Sequence, residues 1–402
     1  MNRHRAYRCR TVQSAINIED LRRLAARHLA NIAFEYLEGG AEEERTLRRN
    51  RQAFDQWQFI PRTLVNTESR HLRTSLFGRD YALPIIIAPT GNNGLQRRQG
   101  DLKLARAATQ AQIPFCLSTV SNTRPEEITS RSGCDLWMQL YILEKPEITA
   151  DLLTHAAAAN AQALMVTTDA NVFGNREWDQ RNFKRPGQPN LRSVLDALCH
   201  LPWLWDVAFP TGFAEFVNIA AFLPPHMRSA RHGATYLPTI FKARVDWDLL
   251  ARLRERWPRT LIVKGILHPK DVERAIELGI DGVVLSNHGG RQLDGSVAPI
   301  EMLPEIAQAY RARITLLIDS GFRRGTDIAK ALALGAHGVL LGRAPLYGLA
   351  AGGEAGVTRA LTILTCELDR VLGQLGLNSV QELNPACLRA GWPTAFTEQG
   401  AR

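Results

Sequence analysis

Between residues 84 and 343 short apolar runs alternate with longer amphipathic stretches. The runs are PIIIAP (84–89), IPFCLS (113–118), LWMQLY (136–141), ALMVTTD (163–169), TLIVKG (260–265), GVVLSN (282–287), TLLIDSG (315–321) and GVLLGR (338–343). Each is short and almost continuously apolar, as a strand buried on both faces must be. Stretches rich in Ala, Leu and charge, such as 99–111, 146–160, 269–278 and 325–335, read as helices between them. Strand–helix alternation predicts an α/β fold with a parallel sheet and helices outside it. Eight repeats point to a closed (β/α)8 TIM barrel. A doubly wound open sheet is the alternative, but its GxGxxG turn after a first strand is missing.

The pattern also sets the flanks of a single domain over 1–402. Residues 18–37 predict one or two amphipathic helices that stop near Gly39-Gly40, and Glu42 to Glu44 begin another charged segment. With the proline-punctuated, partly β-like stretch 55–83, they make an N-terminal helical cap (15–83) over one end of the barrel (84–375). A long insertion, about 177–240, follows strand 4. Its 191–227 part holds many Leu, Trp and Phe residues broken by Pro202, Pro210, Pro224 and Pro225, with Arg185, Arg192, Arg228 and Arg231 at its flanks. Two readings stay open: an interfacial membrane segment, or a lid packed on the barrel or a neighbouring subunit. Leu361, Leu364, Leu368 and Leu372 mark a closing helix, and the polar tail 391–402 is expected to be loose.

Polar residues collect where the strands end: Thr90, Ser118, Gln139, Tyr141, Thr167, Asp169, Lys264, His288, Arg291, Asp319, Arg323, Gly342 and Arg343. In a barrel these ends share one face. The stretch GVVLSNHGGRQLD (282–294) concentrates a histidine, an arginine and two glycines at one strand end. DSGFRRGTD (319–327) turns through glycines into a helix, and Gly342-Arg343 ends the next strand. Backbone N–H groups there and an arginine suit a phosphate. Tyr36, by itself, reads as a packing residue.

Composition narrows this little. A formal net charge of +9 suits acidic small molecules or an anionic membrane surface, and no basic block with interleaved aromatics suggests nucleic acid. The 6 cysteines include no CxxC pair, so no metal site or redox dithiol is expected and a reducing, cytoplasmic compartment fits. The basic N-terminus lacks the apolar run of a secretory signal, and no spanning helix is predicted.

With SNHGGRQLD, LIVKG, DSGFRRGTD and LGRA at this spacing, the chain resembles the FMN-dependent L-2-hydroxy acid oxidases and dehydrogenases over about residues 18–385. The resemblance implies FMN as cofactor and His288 as the base. Arg291 and Arg176 would clamp the substrate carboxylate with Tyr36. Tyr141 would contact the substrate hydroxyl, Asp169 would orient the histidine, and Lys264 would lie beside flavin N1. It assigns Thr90, Gly91, Ser118, Gln139 and Thr167 to the isoalloxazine and ribityl, and Asp319, Arg323, Gly342 and Arg343 to ribityl and phosphate. A homotetramer is implied as well.

Departures from the family pattern bear on substrate and acceptor. Gly91 resembles the mandelate dehydrogenase branch, where many oxidases carry alanine. The insertion, with LPWLWD (201–206), resembles the membrane segment of the respiratory lactate and mandelate enzymes. Both favour a membrane quinone as acceptor and a peripheral position on the inner face of the cell membrane. Val120 replaces a tryptophan of glycolate oxidase and opens the pocket. Phe173 either stacks on an aromatic substrate or closes the pocket to lactate size. Ser320 replaces a phosphate-loop glycine, which a negative φ would tolerate. Asp294 is expected to fix Arg291 or its loop. The expected activity is oxidation of a lactate- or mandelate-type acid. The competing readings are a soluble peroxide-forming oxidase, an enzyme for a peptide- or carrier-bound hydroxy acid, and a catalytically dead barrel.

Overall fold

A computed structural model describes residues 9–185, 188–209, 212–229 and 245–391. Eight parallel strands close into a barrel in sequence order, with β8 hydrogen-bonded to β1: β1 (Ile85–Ile87), β2 (Phe115–Leu117), β3 (Leu136–Leu140), β4 (Ala163–Thr167), β5 (Thr260–Ile266), β6 (Gly282–Leu285), β7 (Thr315–Ile318) and β8 (Gly338–Leu341). The uniformly apolar runs resolve into two faces, as the period of two requires. Ile86, Cys116, Trp137, Met165, Ile262, Val284, Leu317 and Leu340 fill the barrel interior. Ile85, Ile87, Leu136, Met138, Leu164 and Val166 pack outward in the core shared with the helices.

The cap divides between the two ends of the barrel rather than covering one. The hairpin of Thr74–Leu76 and Arg79–Tyr81 joins the interior cluster from below, with the Phe77 ring edge-on to Trp137 at 5.7 Å. Helix α1 (Ile18–His28) packs along the helix Arg343–Leu375, and helices α2 (Asn31–Glu38) and α3 (Arg45–Gln52) reach the mouth at the other end. The apolar stripe of α1 is buried at Ile18, Leu21 and Ala25, and Asn17 caps its start by accepting from Asp20 N at 2.8 Å.

Helix α3, RTLRRNRQ, has no apolar stripe, so periodicity does not predict it. It is held by polar groups instead. Thr46 and Asn50, one turn apart, are fully buried. Asn50 and Asn287 exchange two amide hydrogen bonds at 2.9 and 2.7 Å. Asp294 accepts from the backbone N–H of Arg45 and Thr46 at 3.2 and 2.7 Å and so caps α3 from a distant loop. Asp294 therefore fixes its loop, through α3, and its acceptors face these amides rather than Arg291. Gly290, at φ +75°, lets the loop lie on α3, because a Cβ there would stand 2.6 Å from Leu47 N. Asn50→Ala is expected to cost roughly 1–3 kcal/mol by leaving one N–H of the buried Asn287 amide without its acceptor, while Val297 O and Gly290 N still engage that amide. A lowered thermal midpoint, with faster amide exchange over 287–291, checks this.

The insertion packs one apolar face inward and turns another outward. Trp203, Val207, Phe216, Ile219 and Leu223 are buried, and Trp203 Nε1 donates to Leu95 O at 2.8 Å. Asn218 donates to Ser121 Oγ at 2.8 Å, and Asn122 donates to Glu215 O at 2.9 Å, tying the segment to the loop after β2. The helices Leu191–Cys199 and Leu201–Ala208 turn the other face outward, with Leu191, Leu195, Leu198, Leu201, Trp205 and Phe209 exposed. The rings of Trp205 and Phe209 stack there at 4.3 Å. Arg231, with the rest of 230–240, and the tail beyond 391 lie outside the described residues, as does the Arg185 side chain. No helix among the described residues is long and apolar enough to cross a membrane.

Candidate active site

One cavity opens at the C-terminal ends of the strands. It is lined by Tyr36, Thr90, Gly91, Ser118, Val120, Gln139, Tyr141, Thr167, Phe173, Arg176, Lys264, His288, Arg291, Asp319, Arg323, Gly342 and Arg343, so the strand-end residues singled out in the sequence converge as expected. Asp169 stands behind His288 rather than on the wall: His288 Nδ1 lies 2.8 Å from Asp169 Oδ1. Burial works against charge on Asp169, but His288 and then Lys264 outweigh it and hold its pKa below the ordinary carboxylate value. The ionised Asp169 thus accepts a hydrogen bond from Nδ1–H, and His288 Nε2 carries a lone pair on the cavity side. Tyr141 Oη is 3.4 Å from Nε2. Burial, then the Asp169 charge, push the Tyr141 pKa up to about 12, so the phenol stays protonated.

Burial lowers the His288 pKa below its ordinary value, partly opposed by Asp169. The imidazole is therefore neutral at pH 7 and fit to accept a proton. A base needed in its neutral form loses activity as pH falls through its pKa, so the acid limb of substrate oxidation is expected below the pH at which an ordinary histidine titrates. Asp169→Asn removes an influence that raises this pKa. The limb should then move to lower pH while the maximal rate falls, which a pH profile of kcat/KM reads directly.

Lys264 is buried on the cavity floor, 3.0 Å from Asp319 Oδ2 and 2.9 Å from Ser286 Oγ. Burial disfavours its charge, but Asp319 and Asp169 outweigh it and hold the pKa above normal, so a fixed cation faces the cavity. Beside it, Gln139 accepts from Ser118 Oγ at 3.2 Å and donates to Thr167 Oγ1 at 3.0 Å, forming a rim of orientable donors and acceptors. Across the cavity Arg291 lies over the Tyr36 ring at 5.4 Å and donates to Gly39 O at 2.6 Å. Arg176 lies over the Phe173 ring at 5.5 Å. Tyr36 Oη reaches Gly91 O at 3.4 Å. The two arginines and Tyr36 place positive charge and a hydroxyl on one wall, the wall a carboxylate requires.

At the opposite end the anion turn differs from its sequence reading. Asp327 Oδ2 accepts from the N–H of Arg323 and Arg324 at 2.9 and 3.0 Å, so the start of the Gly325–Ala333 helix is capped by its own carboxylate. Arg343 lines the cavity while its guanidinium donates to the carbonyls of Leu37, Gly39 and Gly289 at 3.1, 2.9 and 2.9 Å. Burial, and then the Arg291 charge, lower its pKa to about 10. Beside it, the Arg323 guanidinium, at 5.2 Å over the Tyr347 ring, and the peptide amides of Gly342–Arg343 at the start of the Arg343–Leu375 helix can hold an anion. An anion site at one end, a ring of amide and hydroxyl groups in the middle and a buried cation match the three parts of FMN: phosphate, isoalloxazine edge and the locus that becomes negative on reduction.

Several contributors escaped the sequence reading. Gln292 donates to Asp169 O at 2.7 Å and accepts from Gly174 N at 3.2 Å, joining the two loops that carry His288 and Arg176. Phe216 brings the insertion into the cavity wall, and Gln96 lines it as well. Ser320 adopts φ +77°, so the negative φ expected for it is not met; two hydrogen bonds hold it there instead. Gln292 has no local signature, because it acts through partners distant in the chain. Gly91 does: a Cβ there would meet Val120 Cγ2 at 2.5 Å, so the glycine and Val120 share one space.

A neutral histidine backed by a carboxylate, facing a cationic wall across an FMN-shaped cavity, defines a class: barrel flavoenzymes that oxidise the carbon next to a carboxylate. The chain belongs to the family of FMN-dependent dehydrogenases, whose profile matches residues 25–390. It is 43% identical over 378 residues to (S)-mandelate dehydrogenase of Pseudomonas putida, covering 94% of each chain. It is 38% identical over 366 residues to L-lactate dehydrogenase of Yersinia pestis, covering 91% of this chain and 96% of the relative. Among solved structures, the monotopic membrane protein (S)-mandelate dehydrogenase superposes with a TM-score of 0.89 at 42% identity, over 94% of this chain and 100% of that one. A mandelate oxidase superposes with 0.79 at 33% identity, over 94% and 100%.

Proposed function

We propose that the chain oxidises an L-2-hydroxy acid of the lactate–mandelate class to the 2-oxo acid with FMN, and passes the electrons to a quinone at a membrane surface. The observation that carries the first part is the His288–Asp169 pair facing Arg176 and Arg291 across one cavity. Arg291, Arg176 and Tyr36 hold the substrate carboxylate and so fix the direction in which the single α-hydrogen is presented. Tyr141 receives the hydroxyl. His288 takes a proton at Nε2, and Asp169, ionised and hydrogen-bonded at Nδ1, stabilises the imidazolium that results. FMN, when bound, supplies the two-electron acceptor. Lys264 keeps a positive charge on the cavity floor throughout, and Thr90, Gly91, Ser118, Gln139 and Thr167 line the wall the ring would face. Asp319, Arg323 and the Gly342–Arg343 amides serve the ribityl and phosphate. Val120, Phe173 and Phe216 bound the space left for the substrate side chain, which admits an aromatic ring more readily than a tryptophan at 120 would.

The outward apolar face of the insertion supports the membrane part, together with the basic net charge. An acceptor dissolved in the bilayer would meet the enzyme on that side, and a homotetramer would present four such faces. Anaerobic flavin bleaching with lactate, glycolate, mandelate and 4-hydroxymandelate tests the activity. Bleaching by none of them would sink the free-acid reading and favour a carrier-bound substrate. Stoichiometric oxygen uptake with rapid turnover would favour the soluble oxidase.

A further inference from the structure

Residues 288–290 run through three consecutive left-handed conformations, φ +58°, +67° and +75°. For a histidine this conformation costs about 1–2 kcal/mol, so something must hold it. Each of the three N–H groups has a side-chain oxygen: His288 N meets Ser286 Oγ at 3.0 Å, Gly289 N meets Ser320 Oγ at 3.1 Å, and Gly290 N meets Asn287 Oδ1 at 3.1 Å. Two of these oxygens belong to a second structure. Ser286 Oγ also accepts from Lys264 Nζ at 2.9 Å, and Ser320 Oγ donates to Asp319 Oδ1 at 2.7 Å, while Asp319 Oδ2 pairs with Lys264 at 3.0 Å. The contacts close a ring: His288 peptide, Ser286, Lys264, Asp319, Ser320, Gly289 peptide. Ser320 is itself left-handed at φ +77°, a strain a glycine would not carry, and its hydroxyl is what the strain secures.

We infer that Ser320 is a positioning residue that couples the loop carrying the base to the Lys264–Asp319 pair, and so ties base placement to the electrostatics of the flavin site. The inference rests on the FMN-dependent reading above. The Ser320 hydroxyl donates to Asp319 and takes up part of its negative charge. Without that bond Asp319 turns its full charge on Lys264, the net positive field over the cavity weakens, and reduced flavin is less stabilised. At the same time the Gly289 amide loses its acceptor, and His288 is less firmly held.

Ser320→Gly separates this role from mere packing, because glycine relieves the backbone strain while deleting the hydroxyl. The expected result is an FMN-bound protein of equal or higher thermal midpoint. Its two-electron reduction equilibrium should fall about tenfold, ~30 mV lower in midpoint potential. Flavin reduction by substrate should slow at least as much. Ser320→Ala, which keeps the strain, should show the same lowered potential with a lower thermal midpoint. The potential is read by chemical reduction against a reference dye, so it needs no knowledge of which hydroxy acid is the substrate. A failure of the substrate assignment would therefore leave this measurement intact. An unchanged potential in Ser320→Gly would overturn the inference. Loss of FMN from the variant would also overturn it, by assigning Ser320 to holding the cofactor.

Discussion

Replacing His288 with glutamine is expected to slow reduction of bound FMN by a 2-hydroxy acid about a thousandfold, ~4 kcal/mol in barrier, without releasing the cofactor. The magnitude follows from what the imidazole does and the amide cannot. His288 Nε2 is a lone pair of moderate basicity, kept available because burial lowers the pKa, and made competent because Asp169 waits at 2.8 Å to stabilise the cation. Glutamine has similar reach and can keep a hydrogen bond to Asp169, but it accepts no proton near neutral pH. The arginine wall and the Lys264 floor are untouched, so substrate binding and residual catalysis persist. Stopped-flow bleaching under anaerobic conditions measures the rate, and the visible absorbance of the purified variant measures FMN content. Reduction within tenfold of the parent would remove His288 from the role of base.

The second large effect concerns location. Changing Leu198, Leu201, Trp205 and Phe209 together to serine should lower affinity for anionic vesicles by about four orders of magnitude. Each side chain is more than half exposed, at 52, 60, 67 and 55%, so none contributes much to the fold. Buried in an interface, each contributes roughly 1.5 kcal/mol or more, about 6 kcal/mol for the set. Activity with a water-soluble dye as acceptor should be unchanged, because the inner face of the same segment, through Trp203, Phe216 and Asn218, stays packed. Vesicle flotation and a dye-coupled assay on the same preparation separate the two faces. Equal flotation of variant and parent would reject membrane docking through this surface; lost dye activity would show that the two faces are not independent.

What was readable in advance depended on how local the signal is. The eight strands were legible because each is a short apolar run bounded by turn residues, and strand-end chemistry was legible because a parallel barrel leaves those ends on one face. The motif resemblance then assigned roles to residues such as Tyr36, which composition alone leaves as packing. Helix α3 was not legible. Its eight residues bury no hydrophobic stripe, and its stability comes from Asn287 and Asp294, more than 230 positions away. The anion turn was read from its glycines, but the carboxylate that caps it, Asp327, and the backbone carbonyls that engage Arg343 depend on side-chain directions that spacing does not encode.

The stretch 282–294 shows the division most clearly. By itself the sequence determined that a buried strand there delivers His288 and Arg291 through a pair of glycines, because strand length, period and turn residues are properties of neighbours along the chain. Only the tertiary structure decided that His288 is left-handed, that its amide and the next are held by Ser286 and Ser320, and that Asp169 from the loop after β4 sets its tautomer. Likewise the insertion's composition declared an excess of apolar residues, and only folding sorted them into an inner wall and an outer face. Hydrogen-bond direction, burial and charge coupling arise between segments that meet in space, and no one-dimensional pattern carries them.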